Sequence, residues 1–353
     1  MTDEACCGRD GLTAEFLGRA LSARLAGATV SVAEVSPVGT GQVSDSFRLR
    51  LRYDRPADLP DTIIAKVPAA DPASRNAARS FRTYEIEARF YEQLAPKLPV
   101  ALPACYYTAY QPEPDDYVLL LEDLAPAAPG DELAGLGPAD AAHAIAELAA
   151  LHSAGWDSAE LSALTWLNRW RPDSAATLAG YLEQMYPRFR ERFASRLEPD
   201  ILTLIADFLP LAERYLTGTD EPRTIVHGDF RADNLLFGGP AGRPAVLDWQ
   251  TAGFGAALSD VAYFLGSSLP VATRRRYEEV LVQRYHAALT RHGVAISWPE
   301  VWAGYRRHAG GGLVMDIVAA TAVRQTSRGD EMFATMARRH ARQALDLGTL
   351  TLL

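Results

Sequence analysis

The chain has 353 residues, of which 48% are hydrophobic and 22% charged, with a formal net charge of −9 and three cysteines. That length accommodates two domains or one two-lobed domain, and the composition is that of a globular protein. The acidic balance, with no basic block, argues against a nucleic-acid partner; no apolar run approaches a membrane span; and Cys6, Cys7 and Cys105 give no disulfide framework. The opening MTDEACCGRDG is acidic and polar with no signal peptide, so a reduced, cytoplasmic protein is expected, monomeric or homodimeric.

In chain order, residues 12–25 carry Leu12, Phe16, Leu17, Leu21 and Leu25 at helical spacing, with Thr13 as an early cap. Residues 30–38 read as a strand, and 47–53 alternate strictly, so the Gly/Ser stretch 39–46 turns a β-hairpin. Residues 61–68, DTIIAKVP, form a strand in which Lys66 has only apolar neighbours and therefore requires an anion. A helix is predicted over 74–94, holding Glu85, Glu87 and Glu92. Two further strands follow at 105–110 and 117–121. The Pro/Gly/Ala-rich APAAPGDELAGLGP then reads as a linker. Thereafter the pattern is helical: 138–154, 178–197 and 200–216, with a Trp156, Trp166 and Trp170 patch that reads first as core packing and second as an aromatic face for a substrate.

The densest chemistry lies at 224–260. Ile225-Val226 runs into His227-Gly228-Asp229, Asn234 precedes Leu235-Leu236-Phe237, a Gly/Pro-rich turn spans 238–244, and Ala245-Val246-Leu247 ends at Asp248-Trp249-Gln250. Two short strands joined by a turn can thus hold two carboxylates on a rigid frame. Phosphoryl transfer needs such a pair: one carboxylate to orient an attacking hydroxyl and accept its proton, and hard oxygen ligands for Mg²⁺ on the nucleotide phosphates. Beyond this stretch, helices are predicted at 258–269, 274–292, 298–321 and 331–350. Gly310-Gly311-Gly312 interrupts the third at about 3 kcal/mol relative to alanine, which a bend or a close approach to a ligand would justify.

HGDFRADN followed by DWQ matches the H-x-D-x-x-x-x-N and D-x-x layout of protein kinases. The chain resembles the aminoglycoside phosphotransferase family of small-molecule kinases, and the Trp-Gln after Asp248 is similar to the branch of ecdysteroid-kinase-like and bacterial phosphotransferases. The resemblance covers nearly the whole chain. It implies an α+β, two-lobed protein-kinase-like fold: an antiparallel-sheet N-lobe with one key helix (1–122), a hinge or linker (123–137) and a mainly helical C-lobe (138–353). It implies Asp229 as catalytic base and Arg231 as the cation facing the transferred phosphoryl. Asn234 and Asp248 become the Mg²⁺ ligands. Lys66 becomes the phosphate-binding lysine, with Glu87 of E-x-x-F-Y its partner and Glu85 second. Gly39, Thr40, Gly41 and Ser44 lie over the phosphates, although the full GxGxxG is absent and Asp45 at the tip has no evident role there. Main chain near Glu122 and Leu124 meets the adenine, leaving ATP and GTP equal. His152 reads as structural, and Asp260 buttresses the catalytic loop through its N–H groups.

Protein kinases carry arginine where Gly228 stands, to read a phosphorylated activation loop. With glycine there, and Asp260 only twelve positions after Asp248, no such loop fits, and constitutive activity is expected. The acceptor is expected to be a small-molecule alcohol, an antibiotic or other natural product, with antibiotic resistance as one consequence. A sterol or metabolic alcohol is the alternative, and choline is disfavoured because Trp-Gln-Thr-Ala-Gly replaces Phe-Glu-Tyr after Asp248. A catalytically silent nucleotide-binding protein is the reading from another class; Lys66, Asp229, Asn234 and Asp248 together argue against it.

Overall fold

The computed structural model describes residues 8–39, 43–167, 174–218, 220–239, 242–322 and 325–353. Thr40 and Gly41 of the glycine hairpin, Trp170, Cys6 and Cys7 lie outside these residues. The chain divides into two compact units. One comprises 1–97, 102–126 and 247–251; the other comprises 98–101, 127–246 and 252–353.

The first unit opens with α1 (Ala14–Ala20) and α2 (Ser22–Leu25). Thr13 caps α1, its hydroxyl accepting from Phe16 N at 3.1 Å. Strands β1 (Val30–Pro37), β2 (Ser44–Tyr53) and β3 (Thr62–Pro68) follow. After them come α3 (Pro72–Phe81) and α4 (Thr83–Arg89), then β4 (Cys105–Gln111) and β5 (Asp116–Glu122). All pairings are antiparallel, in the order β1-β2-β3-β5-β4. The two-residue period of β3 buries Ile63, Ala65 and Val67 in a core shared with Leu17, Leu21, Leu49 and Leu120. Lys66 therefore points to the opposite face.

The single helix predicted over 74–94 is broken. Arg82 adopts a left-handed φ of 55° and its N–H caps α3, so α3 and α4 run separately. A π turn then continues α4 over Phe90–Leu94, burying Phe90, Tyr91 and Leu94.

The second unit starts with β6 (Ala128–Pro129) and α5 (Pro138–Ala154), followed by α6 (Ala159–Ser162), α7 (Ala175–Phe193), α8 (Pro199–Phe208) and α9 (Ala212–Thr217). The helix predicted over 200–216 is thus divided, with a 3₁₀ turn at Leu209–Leu211 around Pro210, which lacks the N–H a continuous helix needs. Strands β7 (Arg223–Val226), β8 (Leu235–Phe237), β9 (Ala245–Val246) and β10 (Gly253–Ala256) are short. β8 pairs with β6 and β9, whereas β7 pairs with β10, so the two strands leading to Asp229 and Asp248 belong to different sheets.

The chain ends in α10 (Ala257–Ser268), α11 (Val271–Arg291), α12 (Trp298–His308), α13 (Gly310–Ala322) and α14 (Ser327–Leu347). The three glycines open α13, and close helix packing explains them. A Cβ on Gly311 would stand 2.7 Å from the Tyr215 hydroxyl, and one on Gly312 would overlap the His340 ring. No helix among the described residues is long and apolar enough to cross a membrane.

Candidate active site

In the first unit, Lys66 is 12% exposed and its Nζ lies 2.7 Å from Glu87 Oε1 and 2.6 Å from Asp248 Oδ1. Burial alone would lower the lysine pKa, but the two carboxylates outweigh it and hold the ammonium charged. Glu87, itself 2% exposed, is pushed up to about 6 by burial, which Lys66 only partly offsets. Glu85 instead pairs with Arg82 and Arg89 at 2.9 Å each. Asp248 has φ 65°, a backbone state uncommon for a side-chain-bearing residue, and its Oδ2 accepts from Gln250 Nε2 at 3.1 Å. Its neighbour Trp249 is fully buried and stacks on Phe90 with centroids 3.9 Å apart, one helical turn from Glu87. The same ring stack thus braces both carboxylates around Lys66.

The remaining expected nucleotide residues occupy the same unit. Gly39 has φ 74°, open space around it and the backbone freedom only glycine has. Ser44 is buried at the start of β2. Asp45 acquires a role: its Oδ2 accepts from Ala70 N at 2.9 Å. Glu122 closes β5, its N–H donating to Ala104 O at 2.8 Å while its carboxylate accepts from Ala104 N at 3.1 Å, and Leu124 follows, half-buried.

In the second unit, β7 leads into the loop that starts at His227. Gly228 has φ 79°, and its N–H donates to Asp260 Oδ1 at 2.9 Å while His227 N–H donates to Oδ2 at 2.6 Å. Asp260 is fully buried. Burial alone would raise its pKa, but His152, 3.4 Å away, and His227 bring it below the usual carboxylate range. His152 is buried between Asp260 and the Tyr285 hydroxyl at 2.7 Å, as a structural histidine would be.

The Asp229 carboxylate is held from three sides. Tyr263 Oη donates to Oδ1 at 2.9 Å, Asn234 Nδ2 to Oδ2 at 3.1 Å, and Arg231 Nε sits 3.2 Å from both oxygens. Asn234 Nδ2 also donates to Asp229 O at 2.9 Å, so the amide is fixed with its nitrogen inward and its carbonyl oxygen turned away. Arg231 reaches Asp233 Oδ2 at 3.0 Å as well. Its pKa is raised, because Asp229, Tyr263, Glu132 and Asp233 outweigh its burial.

The sequence reading missed three residues of this cluster. Tyr263 follows Asp260 by three positions on α10, one turn apart, so both face the loop; that spacing was the available signal. Asp233 is one residue from Asn234. Glu132 sits in the segment read as a plain linker, yet it is 1% exposed, and its Oε2 accepts from Ala232 N at 3.0 Å and Ser268 Oγ at 3.1 Å. A carboxylate within a Pro/Gly/Ala stretch was its only trace.

In the second unit Asn234 carries an amide oxygen, and in the first Asp248 carries a carboxylate; each by itself is the hard donor type that suits a divalent cation such as Mg²⁺. No cluster of three or more His, Cys, Asp or Glu able to hold a metal occurs among the described residues. Mg²⁺ is characteristically held by one or two such oxygens plus phosphates and water.

Comparison with known proteins bears on the fold and the family. Solved structures with the same kinase-like fold include a choline kinase from Cryptosporidium parvum Iowa II, 10% identical, with 91% of each chain covered and a TM-score of 0.56. The macrolide 2′-phosphotransferase MphH from Brachybacterium faecium is 18% identical, covering 92% of this chain and 95% of that one, with a TM-score of 0.50. These define a two-part α+β kinase-like fold.

The phosphotransferase enzyme family model, APH, matches residues 38–308, and the chain belongs to that family. A stretch of 109 residues, 29% of the chain, is 29% identical to acyl-CoA dehydrogenase family member 11 of Homo sapiens. The match spans only 14% of that much longer protein.

Proposed function

We propose that the chain transfers the γ-phosphoryl group of ATP or GTP, with Mg²⁺, to a hydroxyl of a small natural-product alcohol such as an antibiotic. The observation that carries this reading is the Asp229 carboxylate, oriented by Tyr263, Arg231 and Asn234 on a loop that Asp260 fixes through two N–H groups. A carboxylate so held can align an acceptor hydroxyl and take its proton late in a loose transition state. Lys66, pinned by Glu87, binds the nucleotide phosphates, and Asn234 and Asp248 hold Mg²⁺, which supplies charge neutralisation on the phosphates. Arg231 stabilises the charge of the transferring group while steadying Asp229. Gly39, Thr40, Gly41 and Ser44 line the phosphates, and main chain at Glu122 and Leu124 receives the base. The 1–122, 123–137 and 138–353 division assigns nucleotide binding to the first part and acceptor binding to the last. A cytoplasmic location suits the nucleotide requirement.

The acceptor class is read from the composition of 156–186, whose aromatic content favours a molecule with a sizeable apolar or ring face. Choline is disfavoured by Trp249-Gln250, and a choline kinase of like fold at 10% identity does not alter that. The test is a coupled ADP-release screen with ATP and GTP against aminoglycosides, macrolides, nucleoside antibiotics, sterols and amino alcohols. Turnover with at least one hydroxyl acceptor, abolished by Asp248→Asn with the fold retained, is expected. Mg·ATP binding without turnover across the whole panel would overturn the reading in favour of a silent nucleotide-binding protein.

A further inference from the structure

A carboxylate offers about four acceptor positions. At Asp229, Tyr263 takes one on Oδ1, Asn234 takes one on Oδ2, and Arg231 Nε straddles the two oxygens. That leaves room for about one more hydrogen bond, which is what an incoming hydroxyl needs. The direction of that opening depends on which side each donor occupies. Two of the donors sit in the catalytic loop itself. Tyr263 comes from α10 and is the donor set by helix packing rather than by the loop.

Its support is built in layers. The Tyr263 ring stacks on His340 of α14, with centroids 5.1 Å apart and planes 27° apart. His340 Nδ1 lies 3.1 Å from both oxygens of Asp316 on α13, and its Nε2 is 3.4 Å from Tyr263 O. His340 and Asp316 are both buried. Two glycines leave the imidazole its space: a Cβ on Gly312 would overlap the ring, and one on Gly266 would stand 2.7 Å from its Cδ2. Three helices thus converge on one buried pair whose upper face carries the tyrosine. Burial and the Asp229 charge both raise the Tyr263 pKa, so the phenol keeps its proton and donates it in the hydrogen bond. A site needing only volume could use phenylalanine, as at the adjacent buried Phe264.

We propose that Tyr263 is a positioning residue for phosphoryl transfer, its hydroxyl fixing Asp229 Oδ1 and its ring held in place by the buried Asp316–His340 pair. The proposal rests on Asp229 acting on the attacking hydroxyl. Tyr263→Phe keeps the ring and its stack and removes only the donor.

The experiment uses the full chain and Mg·ATP, with water as the attacking hydroxyl, and measures ADP release over long incubations. The native chain is expected to hydrolyse Mg·ATP well above the Asp229→Asn background. Tyr263→Phe should lower kcat roughly 10- to 100-fold, while the KM for Mg·ATP and the unfolding midpoint stay nearly unchanged. A merely structural role would not produce that split between kcat and KM. Asp316→Asn should lower kcat in the same sense, and adding it to Tyr263→Phe should bring little further loss, because both act through one contact. A Tyr263→Phe rate within about twofold of native, with Asp229→Asn inactive, overturns the positioning role alone. Full additivity of the two substitutions overturns the role of the buried pair. Native hydrolysis no faster than that of Asp229→Asn removes the reading of Asp229 itself.

Discussion

Lys66 keeps its charge in a nearly closed environment because two carboxylates meet one ammonium. Removing one partner leaves an uncompensated buried charge, a far larger perturbation than losing a surface pair. Glu87→Gln should therefore reduce kcat/KM for the nucleotide about 10- to 100-fold, whereas Glu85→Gln, whose carboxylate serves Arg82 and Arg89, should stay within about twofold. Equal effects in steady-state assays would refute the distinction.

Asp260 gives a pH prediction. Its folded-state pKa lies below the unfolded value, so its stabilisation is present above about pH 4 and is lost as pH falls through the folded value. Denaturant titrations from pH 3 to 7 should show a steeper acid loss in the native chain than in Asp260→Asn, itself about 3 kcal/mol less stable at neutral pH. Parallel profiles would count against this. At this scale the sequence was informative wherever a residue type is unusual for its surroundings, as with Lys66 in an apolar strand or the acids of HGDFRADN and DWQ. Tyr263 and Glu132 escaped because a tyrosine on a helix and a glutamate in a linker are ordinary until their neighbours from distant segments are known.

Elements were legible where one periodicity ran unbroken. Residues 138–154 form the helix their pattern predicts, and the strands at 105–111 and 116–122 match their apolar runs within a residue or two. The predictions failed where one backbone dihedral or one missing N–H outweighed the pattern, at Arg82 and at Pro210. The glycines of α13 read as a weakness in isolation and prove to be the means by which α13 approaches Tyr215 and His340. Glycines of the two kinds should respond oppositely. Gly312→Ala should destabilise the protein by about 1–3 kcal/mol through overlap with His340. Gly18→Ala, with nothing within 4 Å of the added Cβ, should stabilise α1 by about 1 kcal/mol. Urea unfolding midpoints decide both, and a neutral Gly312→Ala would show that the imidazole can move aside.

For the whole molecule, the division into units cuts across the linear order, since 247–251 packs with the sheet unit although it lies deep in the helical half of the sequence. The Lys66–Asp248 contact explains it: the metal-ligand candidate belongs with the lysine that binds its charge. Between Asp248 and Asp260 the chain has space for only a 3₁₀ turn at Trp249–Thr251, strand β10 and the start of α10. Those elements take up the whole span and leave no long activation segment in it, and Gly228 has φ 79°. An arginine there would be strained by its backbone conformation alone. The expected behaviour is activity independent of phosphorylation: protein treated with phosphatase and untreated protein should show the same kcat for ADP release. Gly228→Arg should lower activity in both samples alike, by displacing the N–H that Asp260 holds rather than by creating a switch. A kcat that rises on phosphorylation would reverse the inference drawn from that glycine.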